Sequence, residues 1–418
     1  MVELTDTEAA IIAGQNGSDG DRRAMEIVVE TARMVGANRL VDIRSSHIDG
    51  CLYHGDSGVL FVEALVAGAA AVRVPTTTNV GALNLLKPEQ CRLSPEARQM
   101  AFRLMVAHER LGCRPSWTCA PYQAGQRPGL GDQVAWGESN AVAFVNSVLG
   151  ARTNRYGDFL DIACAISGKA PETGLHLEHN RRAGVVFDIS GLSPGLRRRP
   201  EFYPALGALI GRMCGDEVPA VVGAPADLSE DVLKAFCAAA ASTGSVALLH
   251  VVGVTPEAPT MEAVVGRGAD IRTAQVTAEQ IARARDSFSL SADGPIDSVA
   301  LGSPHFSLEE CRALARLAGG RRFRVPVFVC LGRHVLEALE ISGEAVELSR
   351  LGVEFVADTC VVVTPILPKT PGVMMTNSGK FAHYAQGNTG HVPVFGSLED
   401  CVESAILGHV VRQEAVWA

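Results

Sequence analysis

The chain has 418 residues, 47% of them apolar and 20% charged, with a formal net charge of −9. That is two to three domains of ordinary globular composition, which excludes a disordered chain and a disulfide-stapled miniprotein. The acidic balance argues against a nucleic-acid binder, because phosphate contact needs clustered Lys and Arg.

Short β-branched runs alternate with helical stretches along the chain. Residues 38–43 read as a strand, 59–67 as a helix and 71–74 as a strand. Further on come a strand at 218–223, a helix at 230–241 and a strand at 245–252, then a helix at 307–317 and a strand at 325–330. Apolar runs such as Val246-Ala247-Leu248-Leu249 suit parallel strands buried on both faces. Ser307 with Glu310 three residues on is a capping box. The alternation predicts an α/β fold of parallel sheets covered by helices. The run Arg197-Arg198-Arg199 beside Pro200 reads as a solvated loop. The stretch 197–204 is the best boundary, giving an N-terminal α/β domain at 1–200 and a C-terminal α/β region at 201–418.

Eleven cysteines without regular spacing, and a start without a charged and apolar leader, predict a cytoplasmic protein with reduced thiols free to ligate metal. No uninterrupted apolar stretch reaches the roughly 18 residues of a membrane span. No CxxC, HExxH, GxGxxG or P-loop occurs, so neither a familiar zinc site nor nucleotide binding is expected.

In α/β proteins the loops at strand ends form the crevice where ligands bind, and four loops here are too polar to be simple connectors. In 47–58, His54 could act as acid, base or substrate donor, while Asp56 or Ser57 could cap the following helix. In 75–81, Thr76, Thr77 and Asn79 could bind a substrate carboxylate, or could satisfy their own turn. In 117–140, Cys119 sits on a predicted loop, unlike Cys164 and Cys237 among apolar helical residues. It is either a metal ligand or an inert filler. Glu138, Ser139 and Asn140 also fit a helix N-terminus. The fourth region joins Asp358-Thr359-Cys360 to 375–384. There Cys360 is a ligand or a strand thiol, and Lys380 is a functional cation or a solvated residue in a capped helix start. His305, in the turn 302–305, reads better as a structural hydrogen-bonder than as a catalyst.

These segments together resemble the aconitase X family of the aconitase superfamily. The motifs are HIDGCLYHGDSG from His47, PTTTNVGALN from Pro75, TCAPYQ from Thr118 and RPGLGDQVAWGESNAVAFVNSVLGARTNRYGD from Arg127. GSPHFSLEE from Gly302, DTC from Asp358 and TNSGKFAHYA from Thr376 complete seven ordered motifs across almost the whole chain. The resemblance implies a lyase, a dehydratase built on an aconitase-type large-subunit fold that lacks the small swivelling domain. A separate small subunit would supply that domain, and this chain alone should be inactive.

Family members include bacterial cis-3-hydroxy-L-proline dehydratases, whose form the HIDGCLYHGD loop resembles, and archaeal mevalonate 5-phosphate dehydratases. The latter need a basic phosphate clamp, for which the matched loops offer only Arg127, Arg152 and Arg155. The resemblance also implies an iron centre, either an iron–sulfur cluster (2Fe-2S or other) or mononuclear iron, held by Cys119 and Cys360. A third ligand position falls on Ser303, where a cysteine would be looked for; a serine oxygen is a harder, poorer ligand than a thiolate. Either Ser303 ligates, or Cys51 or Cys113 serves instead, or the iron is mononuclear. Thr76, Thr77, Asn79, Ser139 and Asn140 would surround a small hydroxy-acid substrate. His54 and Lys380 would move protons or stabilise charge, unless a serine of the swivelling domain is the base. A non-catalytic iron-binding or regulatory protein, favoured only by Ser303, is the alternative from another class.

Overall fold

In the computed structural model, residues 2–265, 271–413 and 417 are described. They form two compact units, Met1–Leu83 with Leu93–Arg182, and Asn84–Arg92 with Ala183–Ala418. The sequence suggests a boundary at 200; the units divide between Arg182 and Ala183, and the short segment Asn84–Arg92 belongs to the second.

The first unit carries strands β1 (Leu40–Asp42), β2 (Ser46–Ile48), β3 (Thr76–Thr78), β4 (Ala135–Trp136) and β5 (Lys169–Pro171). β2 is the centre of a parallel sheet with β3 and β4 on either side, while β1 pairs antiparallel with β5. Helices Asp19–Met34, Asp56–Ala67, Pro95–Arg110 and Leu160–Ser167 contribute Val28, Val59, Leu104 and Ile162 to one apolar core with Ile48. All three residues of β2 are buried, as expected of a central parallel strand.

Two local expectations fail here. Residues 71–74 form no strand, because the Val72 and Arg73 N–H groups bond to the Leu111 and Ala165 carbonyls rather than to a ladder; the strand begins at Thr76 instead. Neither Asp56 nor Ser57 caps the next helix. Gly55 is its N-cap without a side-chain bond, and Asp56 in the first turn accepts from the Tyr53 hydroxyl at 2.8 Å. Its charge there still favours the helix dipole.

The second unit carries β6 (Val185–Asp188), β7 (Pro219–Val222), β8 (His250–Val251), β9 (Arg272–Gln275), β10 (Ser298–Phe306), β11 (Val327–Leu331), β12 (Val353–Val356), β13 (Val373–Thr376) and β14 (Val392–Phe395). They make two parallel sheets, ordered β8-β7-β6-β9 and β12-β11-β10-β13-β14. The expected strand at 245–252 shrinks to His250–Val251. One step earlier in its register Leu249 would face Pro219, which has no N–H to give a ladder. The capping box holds: Ser307 Oγ accepts from the Glu310 N–H at 3.1 Å, and Glu310 accepts from the Ser307 N–H at 2.8 Å. Among the described residues no helix is long and apolar enough to cross a membrane.

Strand β10 sets up the site. It is buried throughout, but its pairing with β11 breaks between Leu301 and Phe306, releasing Gly302 to His305 from regular register. Gly302 has φ +87°, and a Cβ there would lie 2.0 Å from the Cys330 carbonyl oxygen. Only glycine tolerates both conditions, so Ser303 is delivered close against the end of β11.

Candidate active-site residues

In the first unit the polar residues gather where β2, β3 and β4 end. His47 and Thr77 are cross-strand partners, and His47 Nδ1 shares a 2.9 Å hydrogen bond with Thr77 Oγ1. Burial lowers the His47 pKa to about 3, against the pull of the Glu138 charge, so the ring is neutral. Asn79 donates to Asp49 Oδ1 at 2.5 Å. Thr76 turns back to the Val74 carbonyl at 2.8 Å, which is the self-satisfied turn allowed by the sequence. Glu138 caps helix Ser139–Ser147 by accepting the Ala141 N–H at 2.7 Å, and Ser139 donates to Glu138 at 3.2 Å. Asn140 donates to the Cys119 carbonyl at 3.2 Å and to the Tyr122 hydroxyl at 3.0 Å. Cys119 is itself buried.

Three acceptors or ring nitrogens in this cluster are buried without a hydrogen-bond partner: Asn79 Oδ1, Asn140 Oδ1 and His47 Nε2. Leaving such atoms unmet costs about 1–3 kcal/mol each, and each could be met by a ligand or a water.

His54 is placed elsewhere. It is exposed and lines a cavity of about 120 Å³ with His108, Asp158 and Asp161, which does not include Thr76, Thr77, Asn79, Ser139 or Asn140. The buried Asp161 was missed by sequence reasoning. Its carboxylate accepts from the Asp49 and Gly50 N–H groups at 2.7 and 3.0 Å and so holds the turn that presents Asp49 to Asn79. Burial raises its pKa to about 7. Gly137 lets the β4 end approach this turn, since a Cβ there would meet Asp49 at 2.7 Å.

In the second unit Ser303, Cys360 and Lys380 come together. Burial alone would raise the Cys360 pKa, yet it lies below the ordinary thiol value. The largest cause is a hydrogen bond from Cys330; the Val362 N–H, the Lys380 charge and the Ser303 hydroxyl act in the same direction. Cys330 is the residue that sequence reasoning passed over. Ser378 caps helix Gly379–Thr389 through the Phe381 N–H at 2.9 Å and also donates to the Ser303 carbonyl. The preceding Asp358 is buried with φ +63°. It is clamped by Arg333 through two bonds of 2.5 and 2.8 Å and accepts the Leu85 N–H at 3.1 Å. His305 Nε2 reaches the Thr359 carbonyl at 3.1 Å, a structural role, as expected.

Beneath Ser303 lies a cavity of about 30 Å³, lined by Lys234, Ser303 and Ser378 and large enough for one water. The buried Lys234 ammonium there donates to Asp231 at 2.9 Å, to the His305 carbonyl at 3.2 Å and to Glu310.

Non-glycine residues with positive φ stand directly before three of these segments: Trp117 (+41°) before Thr118-Cys119, Glu138 (+67°) before Ser139-Asn140, and Asp358 (+63°) before Thr359-Cys360. Such backbone costs about 1–3 kcal/mol and collects at functional sites.

The donor chemistry fits a thiophilic metal in part. Cys360 is a buried sulfur biased toward thiolate, the form that binds metal. Among the described residues, however, no group of three or more His, Cys, Asp or Glu side chains stands ready to hold an ion.

Amides, hydroxyls, a lysine and an activated thiol at the ends of parallel strands define an α/β enzyme for a small polar substrate. The chain belongs to the aconitase X family: residues 1–179 match the family model described as Aconitase X first domain, 183–286 the second domain and 296–407 the third. A cis-3-hydroxy-L-proline dehydratase from Pseudomonas aeruginosa is 40% identical over 98% of this chain and 71% of its own length. The phosphomevalonate dehydratase large subunit of Methanothermobacter thermautotrophicus is 38% identical over 93% of this chain and 95% of its own. The crystal structure of Thermococcus kodakaraensis aconitase X in its holo-form superposes with a TM-score of 0.85 at 32% identity, covering 97% of this chain and all of that one.

Proposed function

We propose that this chain is the large portion of an iron-dependent hydro-lyase that dehydrates cis-3-hydroxy-L-proline, working with a small subunit. The observation that carries the reading is the thiolate-biased Cys360 beside Ser303 and Lys380, in a chain 40% identical to a dehydratase of that substrate. Cys360 and Cys119 are the proposed thiolate ligands, with Ser303 as a further donor. Bound iron would supply a Lewis acid for a poor leaving group, contributing several kcal/mol.

The protein's own groups account for the rest. The substrate is a zwitterion with a secondary ammonium, a carboxylate and a 3-hydroxyl. The unmet Asn79 and Asn140 carbonyl oxygens suit its N–H and O–H donors, with Thr77 alongside. The Lys380 ammonium suits its carboxylate and the enolate charge that grows as the Cα proton leaves. A base takes that proton, and His54, Lys380 and a small-subunit side chain are the candidates. The C3–O bond breaks, the hydroxyl departs with a proton as water, and the resulting enamine tautomerises to Δ1-pyrroline-2-carboxylate.

One observation favours a second substrate. An archaeal phosphomevalonate dehydratase large subunit is 38% identical to this chain, against 40% for the bacterial protein, and its description as a large subunit supports a small-subunit partner here. Of the basic residues proposed for a phosphate, two already have protein partners: Arg152 lies 3.6 Å from Glu178 and Arg127 bonds to the Tyr122 carbonyl at 3.5 Å. Assaying both substrates with the chain reconstituted with iron and a small subunit decides. Turnover of phosphomevalonate alone would reverse the assignment, and turnover of neither would favour the regulatory iron-binding reading.

A further inference from the structure

We propose that Cys330 is a thiolate ligand of the iron centre, the second sulfur donor on the strand ends that carry Cys360 and Ser303. The inference rests on the iron reading above and names a ligand that the motifs do not contain.

Cys330 looks like a core thiol in the run Val-Phe-Val-Cys-Leu. Along a strand, however, alternate residues face opposite ways. Val327, Val329 and Leu331 lie in the apolar core of this sheet, together with Cys311 and Cys401. Cys330 falls on the other side of β11 from Val329 and Leu331. There its sulfur accepts the Val361 N–H at 3.5 Å and is hydrogen-bonded to the Cys360 thiol, which also bonds to the Ser303 hydroxyl.

Two thiolates on one tetrahedral metal, each about 2.3 Å from it, stand about 3.8 Å apart. A hydrogen bond between two sulfurs brings them to a comparable spacing, so the Cys330–Cys360 contact is compatible with one shared metal. Backbone N–H donors to ligand sulfurs, as from Val361, are a usual support of iron–sulfur ligation. Cys51 and Cys113 are the other thiols weighed for the cysteine missing at 303. Burial pushes both thiols up, away from thiolate. Cys330 instead sits against the strand segment where the cysteine is absent, because Gly302 packs on its carbonyl. A soft donor has moved one strand over and kept the sulfur count that Ser303 would have lowered.

The test uses the full chain, loaded anaerobically with Fe(II) and sulfide, and separately with Co(II). Wild type, Cys330→Ala, Cys330→Ser and the double variant Cys330→Ala/Ser303→Cys are compared. Metal per chain, sulfur-to-metal charge-transfer absorbance and circular dichroism are read, with no activity needed. Cys330→Ala should lose one thiolate's share of the Co(II) absorbance and bind metal at least about tenfold more weakly. Ser303→Cys should restore the lost absorbance. Cys330→Ser, nearly isosteric, keeps the test valid if the alanine variant does not fold. Folded Cys330 variants with wild-type metal content and spectrum would remove Cys330 while leaving the iron reading intact. A wild-type chain that takes up no thiolate-bound metal would overturn both.

Discussion

The two units hold their polar residues by different physics. In the first, uncharged donors do much of the holding, often on carboxylates: a neutral His47 on Thr77, the Asn79 amide on Asp49, the Asn140 amide on the Cys119 carbonyl, and backbone N–H groups on Glu138 and Asp161. Three of its buried thiols, Cys51, Cys113 and Cys164, are pushed up by burial, as are Cys214, Cys311 and Cys401 in the second unit. In the second, charge does more of the holding, through Arg333 on Asp358 and Lys234 between Asp231 and Glu310, and the Cys360 thiol is pulled down, chiefly by the Cys330 hydrogen bond with help from the Val362 N–H and the Lys380 charge. Amide and hydroxyl dipoles are directional and orient a partner, whereas the Lys380 charge favours an anion such as the Cys360 thiolate. The difference teaches what each unit offers a ligand: directional dipoles at Asn79 and Asn140 in the first, and the Lys380 charge beside Cys360 in the second.

The sharpest way to break this comparison is to remove the thiols. Cys360→Ala and Cys119→Ala should each lower dehydration by at least about 10³-fold, since several kcal/mol of Lewis-acid assistance goes with the metal, while circular dichroism stays unchanged. Wild-type turnover in either variant would take that residue out of the metal site. Next in size is the buried cation. Lys234→Met leaves Asp231 and Glu310 facing each other without a counter-charge, costing about 3 kcal/mol or more in urea unfolding. Adding Glu310→Gln should recover a good part of that loss. A single variant within about 0.5 kcal/mol of wild type would mean that charge is not what holds the Ser303 segment.

The fold was legible where the signals are local. The capping box at Ser307 and the strands β7 and β11 follow from caps and apolar runs that need only their own neighbours. The strand expected at 71–74 misled because its N–H groups are claimed by Leu111 and Ala165, distant in sequence. Among the candidate site residues, those legible in the loops were Thr77, Asn79, Asn140 and Cys360, which combine polar type with a strand end. Lys234, Asp161 and Cys330 were not, because each lies in a segment whose pattern reads as ordinary helix or strand core. Their partners are set by tertiary register: Glu310 lies 76 residues from Lys234, and Asp49 lies 112 from Asp161.

A smaller effect tests the orienting half. Asn79→Ala removes both the bond to Asp49 and the waiting carbonyl oxygen, and should lower kcat/KM by about 10²-fold with the melting temperature nearly unchanged. An equal loss with phosphomevalonate and with cis-3-hydroxy-L-proline would show that Asn79 does not read the proline ring.

The last test concerns the neutral His47 of the first unit, and its sign can be worked out. His47 titrates near 6.5 when unfolded but at about 3 when folded, because burial opposes its charge more than Glu138 favours it. The unfolded chain therefore binds the proton first as pH falls. The contribution of His47 is fully present above pH 6.5 and is lost toward pH 3, by up to about 1.4 kcal/mol per pH unit. His108, at about 4 for the same reason, adds a loss of the same sign. Asp161 works the other way: its raised pKa of about 7 gives stability that is complete below about pH 4 and lost as pH rises through 7. His47→Gln, whose amide can still meet Thr77, removes one histidine from this balance. Urea midpoints measured from pH 6.5 down to 4 should then fall less steeply than in wild type, by roughly one proton's worth of slope. An unchanged slope would mean that His47 accepts its proton in the folded state, and the first unit would then hold charge as the second does.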